Sequence, residues 1–234
     1  MQAAPSPKSD HRMTTIPIKS RYDSLQDGYK FGFCNQRFAI DFAKIGNTGF
    51  LYKNNGHKNN DHYCYSEVAI AVSNGIVVGV VDSIEENTNP PIFDEVHNKV
   101  ATGNLVMLDI GNGIIASYAH LIPRSIKVKV GEILHKGDII GKIGNSGNST
   151  APHLHFQLSK PDYQFTNGTN TFQMFWLSEG ISFVFDNYDK FDVTSGKFID
   201  SDGETEFISE SFIICNPKSV TKSLPYENEI IKIK

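Results

Sequence analysis

Along most of the chain the apolar positions repeat with a period of two rather than 3.6. Arg37-Phe38-Ala39-Ile40-Asp41-Phe42, Val68 to Val72, Gly75 to Val81 and Asn104 to Ile110 are short runs, mostly β-branched or aromatic, that predict strands. Across 125–144 a glycine stands at each reversal (Gly131, Gly137, Gly141, Gly144), and Pro152 to Leu158 then alternates again, so this block predicts a compact antiparallel β unit. Ile181 to Phe185 and Glu206 to Ile214 alternate too, with Asp200-Ser-Asp-Gly203 as a turn. No amphipathic helix shows itself in the first half.

Two polar inserts, Asn54 to Asp61 and Glu85 to Thr102, interrupt the strands and read as loops, which on a β core commonly wall a site. Three segments are expected: an N-terminal tail or arm over 1–22, a β domain over 23–160, and a β extension over 161–234 packed on the same body. Phe172, Phe175, Trp176, Phe183, Phe185 and Phe191 give that extension enough aromatic surface for a core or a sugar-stacking face. Their alternation favours core.

Composition narrows the function classes. With 39% hydrophobic residues, 16 Phe and 9 Tyr, the 234-residue chain can fill one core, and disorder is excluded as a global reading. The 22 Lys and Arg against 26 Asp and Glu give a net charge of −4 without a long basic run, which argues against a nucleic acid partner. No apolar stretch reaches the roughly 18 residues of a spanning helix. Met1 to Pro7 has neither the charged nor the apolar stretch of an export leader, so localisation has to follow from function. Three cysteines, Cys34, Cys64 and Cys215, are too few for a disulfide scaffold; one disulfide, for instance Cys34 with Cys64, and one thiol would fit an oxidising compartment.

The eight histidines are unevenly informative. His153 and His155 lie two apart in an alternating strand and so share a face, where one imidazole can ligate a metal while the other moves protons. Asp41 alone reads equally as a turn residue, and His120 alone as a partly buried strand histidine. His57, His62, His97 and His135 lie in or beside loops and turns.

The flanks of the pair change this picture. Asn74-Gly75-Ile-Val-Val78, then Gly103-Asn-Leu-Val-Met-Leu-Asp-Ile-Gly-Asn-Gly113, then Tyr118-Ala-His-Leu121, then Gly131 onward to Pro152-His-Leu-His-Phe156, follow one another in the order and spacing of a known signature. Over 38–158, about half the chain, the sequence resembles the LytM/lysostaphin-type zinc metallopeptidases, the peptidoglycan endopeptidase family. The resemblance implies an all-β fold: a twisted antiparallel sheet with a small second sheet, forming a groove floored by Asp41, His120, His153 and His155. It further implies one Zn²⁺ per chain with Asp41 and His155 as ligands, and His120 and His153 as general base and oxyanion stabiliser. The implied substrate is a peptide crosslink of bacterial cell-wall peptidoglycan, and the implied location is the medium or the cell envelope (periplasm).

One element of the pattern is missing. The family's first zinc ligand is a histidine ahead of the aspartate, most often by four residues, but Arg37 stands there and no histidine occurs between Met13 and Gly56. A catalytic zinc usually takes three protein ligands, and an arginine repels a dication. Three explanations stand open: a Cys34 thiolate, a histidine from elsewhere (His57, His62 or His11), or a vestigial site. The last corresponds to a degenerate member that binds peptidoglycan or regulates another hydrolase without cutting. Half-motifs of a biotinyl or lipoyl carrier barrel also occur, but the carrier lysine in its tight hairpin is absent.

Overall fold

The computed structural model describes residues 13–16, 36, 38–46, 50–88, 100–161, 175, 178–191, 218–223 and 230–233. Among these, nearly every regular element is a strand, and the pairings are antiparallel. In chain order they are β1 (Met13–Ile16), β2 (Ile40–Lys44), β3 (Val68–Ile70), β4 (Gly75–Val81), β5 (Asn104–Asp109), β6 (Ile115–Leu121), β7 (Ile133–Leu134), β8 (Ile139–Lys142), β9 (Leu154–Pro161), β10 (Ser178–Gly180), β11 (Phe185–Phe191), β12 (Lys218–Ser223) and β13 (Ile230–Ile233). A 3-10 turn at Asn59–Asp61 sits inside the first polar insert.

One large sheet runs β12-β11-β13-β1-β2-β9-β6-β5-β4-β7, with β10 added to the far end of β9, and a separate two-stranded sheet pairs β3 with β8. The all-β reading with a small second sheet therefore holds. The centre of the large sheet is the most deeply buried part: every residue of β6, and all but the last of β5, is buried. Ile40, Phe42, Val106, Leu108, Tyr118, Leu154 and Phe156 fill one side, joined by Ala69 and Ile140 of the small sheet, while Leu105, Met107, Ile115, Ala119 and Phe175 form a second cluster. Alternating side-chain direction along β5, β6 and β9 is what divides them.

Two sequence expectations shift. Residues 125–130 are not a strand: Lys127 N donates to Ile140 O, and the next cross-links come only at Gly131 N to Val77 O and Val77 N to Glu132 O, too sparse for a ladder. The strand expected at 181–185 begins instead at Phe185, because Ile181 N is taken by Leu158 O and the chain turns off β9 there. Of the aromatic residues in the extension, Phe175 is buried, and Phe183 and Phe185 pack edge to face on Phe156, Phe42 and each other, as core. Phe172 and Trp176, and the strand expected at 206–214, lie outside the described residues.

Candidate active site

The site is assembled by three adjacent strands of the large sheet. Asp41 of β2 stands directly opposite His155 of β9, and Ala119 of β6 lies opposite His155 on its other side. Register alone thus brings an aspartate and a histidine 114 residues apart in sequence into contact.

His155 Nδ1–H donates to Asp41 Oδ1 at 2.8 Å, and His153 Nε2 lies 3.7 Å from Asp41 Oδ2. The His120 ring centroid is 4.7 Å from that of His153 and 5.8 Å from that of His155. All four residues read from the sequence are therefore gathered around one carboxylate.

His120 arrives there through a bulge. β5 and β6 slip register so that Val106 faces Tyr118 while Asn104 faces Leu121, two residues against three, and His120 has φ +62°. Tyr118 and Leu121 both join the larger core cluster and Ala119 the smaller, so the extra residue lets Ala119 and His120 fall on the same side. A left-handed conformation in a residue with a Cβ costs of order 1–2 kcal/mol. Surrounding bonds hold it: His120 N to Thr102 O at 3.0 Å, Gly144 N to His120 O at 3.1 Å, and His120 Nδ1–H to Ser146 O at 2.7 Å.

The 144–149 loop that supplies Ser146 is tied to both polar inserts. Asn145 Nδ2 donates to Asn59 Oδ1, Asn145 N to Glu86 Oε1, and Asn87 Nδ2 to the carbonyls of Gly147 and Ser149. Ser149 Oγ and Ala151 O in turn accept from His153 Nδ1–H at 3.3 and 2.8 Å. The inserts thereby position the loop that orients two of the imidazoles.

Electrostatics sort the histidines. Burial, reinforced by the neighbouring His153 and His155, pushes His120 down from the ordinary imidazole value to about 3, so it is neutral at physiological pH. Burial acts on His155 in the same sense, but the Asp41 carboxylate, by charge and hydrogen bond, overrides it and holds this ring above the usual value. Burial tends to raise Asp41, yet the charge of His153 and the hydrogen bond from His155 hold it well below the usual carboxylate range.

The donor set suits zinc in kind, since Asp41 and His155 offer a carboxylate oxygen and an imidazole nitrogen side by side. In number it falls short: among the described residues no group of three His, Cys, Asp or Glu is arranged to hold a metal ion. His62 is buried beside Tyr52 and donates from Nε2 to Gly56 O, while His57 is exposed; neither joins Asp41 and His155. Cys64 is a buried thiol that donates to Pro152 O, pushed up to about 12 by burial, and it is not in a disulfide. Arg37, Cys34, His11 and His97 lie outside the described residues. His135 sits exposed at a turn, 3.6 Å from Asp138.

A residue not singled out from the sequence also belongs here. Gln157, two positions after His155 and so on its face, accepts from His155 Nε2–H at 3.0 Å. Its signal in the sequence was a long polar side chain continuing the period of His153 and His155.

Residues 67–171 match the model of peptidase family M23, the family to which the motifs point. The matched segment contains His120, His153 and His155 and begins after Asp41. The chain is 41% identical over 61 residues to the peptidoglycan DD-endopeptidase ShyA of Vibrio cholerae, covering 26% of this chain and 14% of that protein. It is 32% identical over 102 residues to lysostaphin of Staphylococcus staphylolyticus, covering 41% of this chain and 21% of that one. The crystallised catalytic domain of lysostaphin from Staphylococcus simulans aligns with a TM-score of 0.31 at 29% identity, over 46% of this chain and 79% of that domain. The chain thus spans about a seventh to a fifth of the length of these two full-length relatives.

Proposed function

We propose that the protein is a zinc-dependent endopeptidase that hydrolyses peptide bonds of bacterial cell-wall peptidoglycan, in the cell envelope or the medium. The observation that carries this reading is the convergence of three imidazoles on the Asp41 carboxylate, from β2, β6, β9 and the residue just before β9. The family match and the named activity of ShyA, a peptidoglycan DD-endopeptidase, support the substrate class.

Zinc, when held by Asp41, His155 and a third donor, supplies a Lewis acid for the scissile carbonyl and lowers the pKa of a bound water. The remaining steps fall to the chain. His120 spends its Nδ1–H on Ser146 O, which leaves Nε2 as a neutral acceptor for a proton from the attacking water. His153 is anchored at Nδ1 by Ala151 O, and its Nε2, on the Asp41 side, can donate to the developing oxyanion once it carries a proton. Cys34 and His11 are the candidates for the third donor.

A second reading, a non-catalytic member that binds peptidoglycan or regulates another hydrolase, is favoured by Arg37 at the expected ligand position and by the missing third donor among the described residues. Elemental analysis combined with turnover of purified peptidoglycan separates the two. About one zinc per chain, lost together with turnover in His155→Ala, is the expected result, and a parallel loss in Cys34→Ser or His11→Ala identifies the third ligand. A chain that takes up no zinc and cuts nothing overturns the hydrolase reading in favour of the second.

A further inference from the structure

The first polar insert carries two exposed rings that the site described above does not use. Around them the chain folds back on itself after β2: Gly46 N donates to Phe50 O, Tyr63 N to Leu51 O and Lys53 N to Asp61 O, with an antiparallel bridge between Tyr52 and His62. Phe50 and Tyr52 are two residues apart on this arm, while Leu51 between them packs against the core. Phe50 is 37% and Tyr52 38% exposed, with ring centroids 6.0 Å apart. Among the described residues they are the aromatic members of the exposed large hydrophobic side chains; the others, such as Val68, Ile70 and Ile139, are aliphatic. A lone exposed ring needs no explanation, but this pair is supported from behind. Gly56, at φ +69°, is buried against Tyr52: a Cβ there would stand 2.9 Å from ring atoms Cγ and Cδ2. The buried His62 ring lies 5.7 Å from that of Tyr52 and donates from Nε2 to Gly56 O. Asp61 accepts from Asn54 Nδ2 and Lys58 N, and Asn59 donates to Asn87 O while accepting from Asn145 Nδ2. Rings fixed before a ligand arrives lose little freedom on binding.

We propose that Phe50 and Tyr52 form a stacking platform for the glycan strand of peptidoglycan, a β-1,4-linked chain of N-acetylated aminosugars. The C–H bonds on one face of such a pyranose carry partial positive charge and meet the negative face of an aromatic ring. The spacing of the two rings is close to that of consecutive sugars in the chain, so each can take one. Around them Lys53, Asn55, His57 and Asn60 are exposed, a rim of ammonium, amide and imidazole groups for sugar hydroxyl and acetamido groups. That amide-rich rim suits a sugar, whereas an apolar protein partner finds its aliphatic surface at Val68, Ile70 and Ile139. The platform follows directly on β2, which carries Asp41, and the Asn59–Asn145 bond ties it to the loop that holds His120. A glycan strand lying on it would keep its peptide stems near the catalytic groups.

The identity of the sugar rests on the peptidoglycan reading above, but stacking needs neither zinc nor turnover, so the test is one of binding. The full chain is titrated with the N-acetylglucosamine tetramer, followed by calorimetry and by ¹H–¹³C spectra of the aromatic side chains. The expected result is a shift of the Phe50 and Tyr52 ring signals that saturates at millimolar sugar. Affinity should fall about five- to tenfold in Phe50→Ala or Tyr52→Ala and stay within about twofold of the parent in Tyr52→Phe. Thermal unfolding is recorded for each variant; should Tyr52→Ala fail to fold, Phe50→Ser and the ring signals of the parent carry the same expectation. Unmoved ring signals in the parent, or an equal response to maltotetraose, overturn the proposal. Self-association of the sugar-free chain through the two rings overturns it in favour of a second copy as the occupant. A chain that binds the tetramer yet cuts no peptidoglycan leaves the platform standing and removes the hydrolase reading, and one that cuts peptidoglycan without responding to the tetramer does the reverse.

Discussion

Asp41 and His155 face each other across the β2–β9 ladder, carboxylate to imidazole at 2.8 Å, in a part of the sheet where neither charge would be stable alone. Each therefore sets the protonation of the other. Asp41→Asn is expected to remove the negative charge that holds His155 above the ordinary imidazole value and to let burial carry its titration below that value. Side-chain NMR of His155 in zinc-free protein checks this, and a titration that stays elevated contradicts it.

His120 carries both a proposed role and a backbone cost, and substitution can separate the two. Glycine accepts φ +62° and alanine does not, so His120→Gly should be more stable than His120→Ala by about 1 kcal/mol, with both inactive. Chemical denaturation of the two variants gives the difference. Equal stabilities would mean that the bulge relaxes when the imidazole is lost.

The lowered pKa of His120 makes a signed prediction for the zinc-free protein. Its folded value, about 3, lies below the unfolded value near 6.5, so between these limits the unfolded chain binds a proton that the folded one does not. Stability should therefore fall as pH is lowered from about 6.5 toward 3. His155 acts in the opposite sense: its raised folded value contributes stability that is fully present below about 6.5 and is lost as pH rises through the folded value. The difference between parent and His120→Asn isolates the first effect, and the variant should lose less stability across that acid window.

Gly103 and Gly147 touch where the second insert meets the 144–149 loop. A Cβ on Gly147 would come within 2.2 Å of Gly103 N, and one on Gly103 within 2.4 Å of Ser146 O, the acceptor of His120 Nδ1–H. Both glycines also have positive φ. Gly103→Ala should cost about 2 kcal/mol or more and displace Ser146, so that activity falls further than the folded fraction does. Denaturation curves set beside specific activity test this.

How much of this was legible in the sequence depended on how local the signal was. His155 and Gln157 lie on one strand whose period puts them on one face, with His153 just before it, and β4, β5 and β9 could be read from β-branched runs. The 125–130 segment carries the same alternation yet is not a strand, because pairing needs a continuous partner edge, and that is a tertiary property. The placement of His120 was legible only through the motif, since a bulge without glycine leaves no local mark. The link between Asp41 and His155 depends on strand order, which alternation does not encode. A third donor for the proposed zinc site was unreadable for the same reason: residues distant in sequence converge only through topology.

The bulge in β6 also sets a reading frame. Upstream of it, even-numbered positions such as Ala116 and Tyr118 belong to the larger core cluster, and beyond it the odd-numbered Leu121 does. One residue of insertion has thus switched the phase of the strand at the point where the imidazole is delivered. Deleting Ala119 would change no charge, yet it would restore strict alternation and move His120 into the ladder place opposite His155, one step from where the bulge now delivers its ring. In this strand the count of residues matters as much as their identity, so an alignment that closes this one-residue offset with a gap would hide the feature that makes His120 available.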